Sequence, residues 1–111
     1  MDRSNIIKLI SEIRTQDEIG QWQSVKTARQ VYCDVRSVSA SEWFDAGRDG
    51  FKPSLCFIMF RPDYQGEQIV EYNGQQYGIY RTYVGRNERI ELYTEVKGGI
   101  YGSIQETNNN P

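Results

Sequence analysis

"IVEYNGQQYGIYRTYVGRNERIELYTEV", residues 69 to 96, decides the fold. Asn73 and Gly74 stand between two runs of strand-forming residues, and an Asn-Gly pair supplies the two positive φ angles of a type I′ hairpin turn. Past Val84 the tetrad "GRNE", residues 85 to 88, makes a second loop, and "RIELYTEV" returns with Ile90, Leu92, Thr94 and Val96 on one side. This region therefore reads as an antiparallel meander. By strict alternation Tyr77, Ile79, Arg81 and Tyr83 share one face, Gly78, Tyr80, Thr82 and Val84 share the other, and Arg81 pairs with Glu91 across the hairpin.

Upstream, "LCFIMF" at 55 to 60 is apolar on both faces, the pattern of a strand covered from two sides. "ARQVYCDVRSV", residues 28 to 38, alternates: Val31, Cys33 and Val35 face inward, Tyr32, Asp34 and Arg36 outward. Between these strands lies "SASEWFDAGRDGFKPS". Ser39 and Glu42 have capping-box spacing, and Gly47 suits the left-handed position that ends a helix. The spacing predicts a helix over 40–47 with Trp43, Phe44 and Ala46 as its packing residues, followed by a mobile loop from Gly47 to Ser54.

The first segment, "NIIKLISEIR", fits both a helix and a strand with two apolar faces. "TQDEIGQWQS" then reads as a turn or hairpin tip, with Trp22 anchoring its far side. At the other end "KGGIYGSIQETNNNP" is rich in glycine and asparagine. Residues 98–111 read as a flexible tail in which Ile100, Tyr101 and Ile104 are possible docking side chains.

The sum is a mainly β chain: a small antiparallel β-barrel of about six strands with one short α-helix, residues 1–97 forming a single domain. At 111 residues there is material for one core.

Composition narrows function by what it omits. The net charge is -2 and no histidine is present, so neither a bulk basic surface nor the commonest general base and metal ligand is available. Cys33 and Cys56 sit in apolar runs, as free buried thiols do. Glu67, Glu71, Glu88, Glu91 and Glu95 have no base partner and read as solvated carboxylates on the outer face. No enzyme activity, metal or cofactor is expected. No run approaches the ~20 apolar residues of a membrane span, and no signal-peptide pattern opens the chain. The aromatic and basic residues Tyr80, Arg81, Tyr83 and Arg86 leave one alternative open, a single-stranded nucleic-acid-binding barrel whose tyrosines stack bases.

The order of short motifs adds a second line of inference. Val35-x-x-Val38 leads into S-x-x-E-W-x-x-A-G at 39 to 47 and G-x-K-P at 50 to 53. Y-x-G-E-x-x-V-x-Y-N-G-x-x-Y follows at 64 to 77, then "IYRTY" at 79 to 83 and "IELY" at 90 to 93. In this order, from about Val31 to Val96, the chain resembles the small head-tail connector proteins of tailed bacteriophages, also called head-closure, stopper or head-completion proteins. The resemblance implies a small barrel with one helix, assembled as a ring of subunits between the portal or adaptor protein and the tail. Such a ring extends or closes the DNA channel and retains packaged double-stranded DNA without sequence specificity. It places the protein in the virion, and in the bacterial cytoplasm before assembly. The loop Gly47, Arg48, Asp49, Gly50, Phe51, Lys52 and Pro53 is then the contact to the channel or to a neighbouring subunit, and the first segment becomes a strand. A near-neutral channel wall is consistent with this role, because a strongly basic one would hold DNA by counterion release.

Overall fold

A computed structural model describes residues 5–97. The elements run β1 (Asn5–Gln16), β2 (Trp22–Ser37), α1 (Ala40–Arg48), β3 (Pro53–Phe60), a 3-10 turn (Arg61–Asp63), β4 (Ile69–Tyr72), β5 (Gln75–Val84) and β6 (Arg89–Val96). All pairings are antiparallel, and the order β1-β2-β3-β6-β5-β4 closes because β4 also pairs with β1. The mainly β reading of the sequence holds: six strands form one closed sheet with one short helix. The opening segment, ambiguous by periodicity, is a strand. As a strand it buries both Ile7 and Leu9 against the core.

Side chains at alternate positions fill the interior. Phe57 sits at its centre with no exposed surface, meeting Tyr72 and Tyr77 edge-on at centroid distances of 5.7 and 5.6 Å. Leu9, Val31, Cys33, Met59, Val70, Ile90 and Leu92 complete the cluster. Removing such side chains from water is the main source of stability, about 25 cal/mol for each Å² of apolar surface. β3 is covered on both sides as its composition requires. Phe57 and Met59 point in, while Cys56 and Ile58 point out yet stay buried, with α1 packed against the strand and Tyr93 and Arg36 flanking Cys56.

The tight turns follow their sequence. Asn73 and Gly74 have φ of 52° and 79° between the paired Tyr72 and Gln75, the geometry of a type I′ turn. "GRNE" is the second loop, closed by Gly85 N–H donating to the Arg89 carbonyl at 2.8 Å. At the tip between β1 and β2, Asp17 Oδ1 accepts from the Ile19 and Gln21 amides at 3.1 and 2.8 Å.

Four expectations need correction. The helix ends at Arg48 with Asp49 as its cap, and Gly50, not Gly47, takes positive φ, at 90°. Trp43 and Phe44 are not packing residues: they are 53% and 65% exposed, touch each other edge-on, and leave Ala46 as the buried residue of α1. On this helix the apolar stripe is one residue wide, because Glu42 and not an aromatic faces the sheet. Trp22 is no anchor either. It opens β2 at 61% exposure, with the Arg14 guanidinium 5.7 Å from its ring.

Finally, Glu67 is not solvated. It is 5% exposed and takes a hydrogen bond from Arg29 Nε at 2.8 Å and another from the Gln65 amide at 2.9 Å. Arg29 also donates to the Asp63 carbonyl at 2.5 Å, so one ion pair ties the loop before β4 to β2. The tail residues Ile100, Tyr101 and Ile104 lie outside the described residues.

Beyond the closed part, β1 and β2 continue as a two-stranded arm. β1 pairs β4 only at Lys8 to Ile10 and β2 pairs β3 only from Asp34, so among the described residues the six pairs from Ser11↔Thr27 to Gln16↔Trp22 have no third strand. At ~3.3 Å per residue the arm extends roughly 20 Å. It carries Ile13, Ile19, Trp22 and Val25, each close to half exposed or more.

Candidate functional site

Four motifs that are distant in sequence converge where α1, packed against β3, reaches β5 through Glu42. The cause is an irregularity in β5. Ile79 pairs with Thr94 and Arg81 with Tyr93, so Tyr80 is an extra residue, a β-bulge. Up to the bulge, Tyr77 and Ile79 point inward. After it the phase inverts, and Arg81 and Tyr83 lie opposite Tyr93 and Glu91, on the outer face. Tyr80 and Arg81 are consecutive, yet both reach the helix.

Ser39 caps α1 by accepting from the Glu42 amide at 3.1 Å. The Glu42 carboxylate does not complete the capping box. It accepts the Tyr80 hydroxyl at 2.7 Å and forms an ion pair with the Arg81 guanidinium. Arg81 in turn lies over the Tyr93 ring at 4.1 Å, and Tyr93 donates its hydroxyl to Glu91 at 2.5 Å. The expected Arg81–Glu91 pair is replaced by two others, Arg81–Glu42 and Arg89–Glu91, because Arg81 lies opposite Tyr93 while Glu91 lies opposite Tyr83. Burial first, and then the hydrogen bond to Glu42, push the Tyr80 phenol upward, so it remains a donor through the neutral range. Burial and the bond to Glu91 do the same for Tyr93.

The segment expected to be a long mobile loop is shorter and held at several points. Gly47 and Arg48 belong to α1, and Pro53 begins β3 opposite Glu95, leaving Asp49, Gly50, Phe51 and Lys52 as the connection. The Phe51 amide donates to the Ala46 carbonyl at 3.0 Å, and the Lys52 amide to Glu95 Oε1 at 3.1 Å. The Phe51 ring stacks on Tyr80, 4.7 Å between centroids and 17° from parallel. Arg48 turns outward and pairs with Asp45. Beside the stack, a cleft of 360 Å³ is lined by Asp45, Asp49, Phe51 and Arg81 among others.

This corner fixes elements in place and presents a mixed surface. The exposed rings of Trp43 and Phe44 sit next to the acidic end of α1. Its chemistry is that of a contact surface: carboxylates and aromatic rings that a partner's basic or apolar side chain can meet. Of the nucleic-acid candidates, Tyr80 already has a stacking partner in Phe51 and Arg81 a counter-ion in Glu42. Tyr83 and Arg86 remain exposed beyond them.

Sequence reading missed Glu42 as the pin between helix and sheet, because its capping-box position gave it a sufficient local role. It missed Arg29–Glu67 because the partners are 38 residues apart. Among the described residues no group of three or more His, Cys, Asp or Glu side chains could hold a metal ion, and no helix is long and apolar enough to cross a membrane. No family model matches the chain, and no curated protein matches it.

Proposed function

We propose that this chain is a structural neck protein of a tailed phage or prophage. It forms a ring of subunits between the portal or adaptor protein and the tail, extends or closes the DNA channel, and retains packaged DNA. The role is one of assembly, not catalysis.

One observation carries this reading. S-x-x-E, G-x-K-P, "IYRTY" and "IELY" are the motifs of the connector resemblance, and they supply Glu42, the loop ending at Lys52, Tyr80 with Arg81, and Tyr93. All of these meet in the single corner of α1, β5 and β6. The motifs thus have a common physical purpose, fixing the angle of a helix and loop on a closed sheet. Apolar side chains left at the surface of α1 and of the β1–β2 arm suit a subunit whose neighbours cover them. In the assembled ring, Asp49 to Lys52 face the channel or the adjacent subunit, and the DNA is held by shape and channel closure without base contacts.

The test is to mix the purified protein with the portal or adaptor ring encoded in the same genome and image the product by electron microscopy. A stacked complex with this protein as an added layer is the expected outcome. Failure to bind either ring across salt and pH conditions would remove the proposal.

A further inference from the structure

The open edge of β1 carries its own complement. β1 meets β4 only as far as Ile10, so from Ser11 to Gln16 its outer edge has no partner strand among the described residues. Directly opposed residues share a face of a sheet, which sorts the arm into two faces. Ser11, Ile13 and Thr15 stand with Thr27, Val25 and Gln23 on one, where the Ser11 and Thr27 hydroxyls bond at 2.8 Å. Glu12 and Arg14 stand with Lys26 and Ser24 on the other. Ile13 and Val25 are 56% and 49% exposed, and among the described residues neither Glu12 nor Arg14 has an ion-pair partner.

Two copies of this edge, run antiparallel about a two-fold axis, have few possible registers. Centring the axis on Ile13 sets Ile13 against Ile13 of the second copy, Glu12 against Arg14, Arg14 against Glu12, and Ser11 against Thr15. Centring it on Glu12 or on Arg14 would put a like-charged pair on the axis, which is unfavourable. Centring it between residues would lay the Ile13 face of one arm beside the charged face of the other. Only the Ile13 register matches both faces. It lines up Val25, Ile13, Ile13 and Val25 across four strands on one face, and Lys26, Glu12, Arg14 and Ser24, with alternating sign, on the other. The open edge of β2 offers no such match, because residues 22–33 carry Lys26 and Arg29 and no carboxylate.

We propose that two copies of this chain join through the β1 edges of their arms, paired antiparallel from Ser11 to Thr15 with Ile13 on the two-fold axis. The pairing ends there because Gln16 would meet Ile10, whose edge is held by Ile69 of β4. It gives an open edge its backbone hydrogen bonds and turns a two-stranded ribbon into a four-stranded sheet. The contact is short, so the dimer is a weak one. A two-fold contact closes on itself and builds no ring, so the inference does not rest on the neck reading.

The test uses two variants of the full chain, Glu12→Arg and Arg14→Glu, in sedimentation runs up to about 500 µM, where a weak contact is populated. The native chain is expected to approach the dimer mass. Each variant sets like charges opposite one another and is expected to stay monomeric, whereas an equimolar mixture of the two restores both opposite-charge pairs and should dimerise. A native chain that stays monomeric, variants that dimerise as it does, or a mixture that does not would each overturn the proposal. Cross-linking gives a second measurement. On the axis, Ile13→Cys brings two Cα atoms to ~5 Å, within disulfide reach, while Val25→Cys, three inter-strand gaps from its copy, leaves them ~14 Å apart. Cys33 and Cys56 are buried and stay out of the exchange. Under mild oxidation Ile13→Cys is expected to form the linked dimer about tenfold faster than Val25→Cys; equal rates, or no linked dimer from Ile13→Cys, would overturn the pairing.

Discussion

Glu67 shows how far one carboxylate's environment can depart from its sequence context. Burial alone would raise its pKa, but its hydrogen bonds with backbone amides and with Arg29 outweigh burial and hold it below the ordinary 4.5. A depressed folded-state pKa means that the unfolded chain binds the proton more readily. The stabilisation is therefore complete above the unfolded value and is lost as pH falls through the folded one. Glu67→Gln is expected to lower stability at pH 7 by about 1–3 kcal/mol. In urea unfolding it should also flatten the loss of stability as pH falls below the ordinary carboxylate value of 4.5; parallel acid limbs for the two proteins would contradict this. The thiols give a second prediction at this scale. Burial, reinforced by Asp34 for Cys33 and Glu91 for Cys56, pushes both up to about 12. At pH 8 neither forms thiolate to any extent. The native protein is expected not to react with a thiol reagent over minutes, and both cysteines should react in denaturant; rapid labelling of the folded form would refute it.

At the scale of elements, α1 is attached to the sheet mainly through polar contacts. Ala46 is its buried residue, while Glu42 holds Tyr80 and Arg81 and the Phe51–Tyr80 stack fixes the exit loop. Glu42→Ala leaves a part-buried hydroxyl and a guanidinium without their acceptor, a cost of about 1–3 kcal/mol. The expected signature is local. Amide exchange should accelerate over residues 40–52 while Phe57 and Leu92 in the core strands keep their protection. Acceleration spread evenly over the whole sheet would show that Glu42 supports the fold instead of the helix. The same contacts explain the bulge at Tyr80, which turns two neighbouring side chains toward one partner.

The whole molecule is a closed sheet from which an arm projects. Closure satisfies the strand edges over most of the circumference, which removes a hazard of aggregation. The arm keeps its edges open, and a two-stranded ribbon alone is marginal in water. It is stitched by the Ser11–Thr27 hydroxyl bond at 2.8 Å and by Arg14 over Trp22. Deleting the pairs from Ile13↔Val25 to Gln16↔Trp22 and rejoining with a two-residue turn is expected to shift the thermal midpoint by only a few degrees, since the core cluster has no member there. Cooperative unfolding lost on deletion would place the arm within the folding unit. In the neck reading the shortened protein should remain folded and fail to join its neighbours.

Much of this architecture was legible in the residues. Alternation at Val31 and Cys33, the doubly apolar 55–60 run, the Asn73-Gly74 turn and the Ser39 cap are local signals. Each depends on a few adjacent positions and backbone sterics, and together they determined strands, turns, the helix and a closed antiparallel sheet. The tertiary structure decided what depends on distance. A bulge inverted the faces of β5 after Ile79 and gave Arg81 a different partner. The helix was seated by Glu42, leaving Trp43 and Phe44 exposed, and loop residue Glu67 was buried against Arg29 of β2. For β5 the reason is that a strand's period is two, so one inserted residue reverses every later assignment, and only the paired neighbour shows where it was inserted; for Glu42 and Glu67 it is that the partner groups, on β5 and β2, lie 38 residues away in sequence.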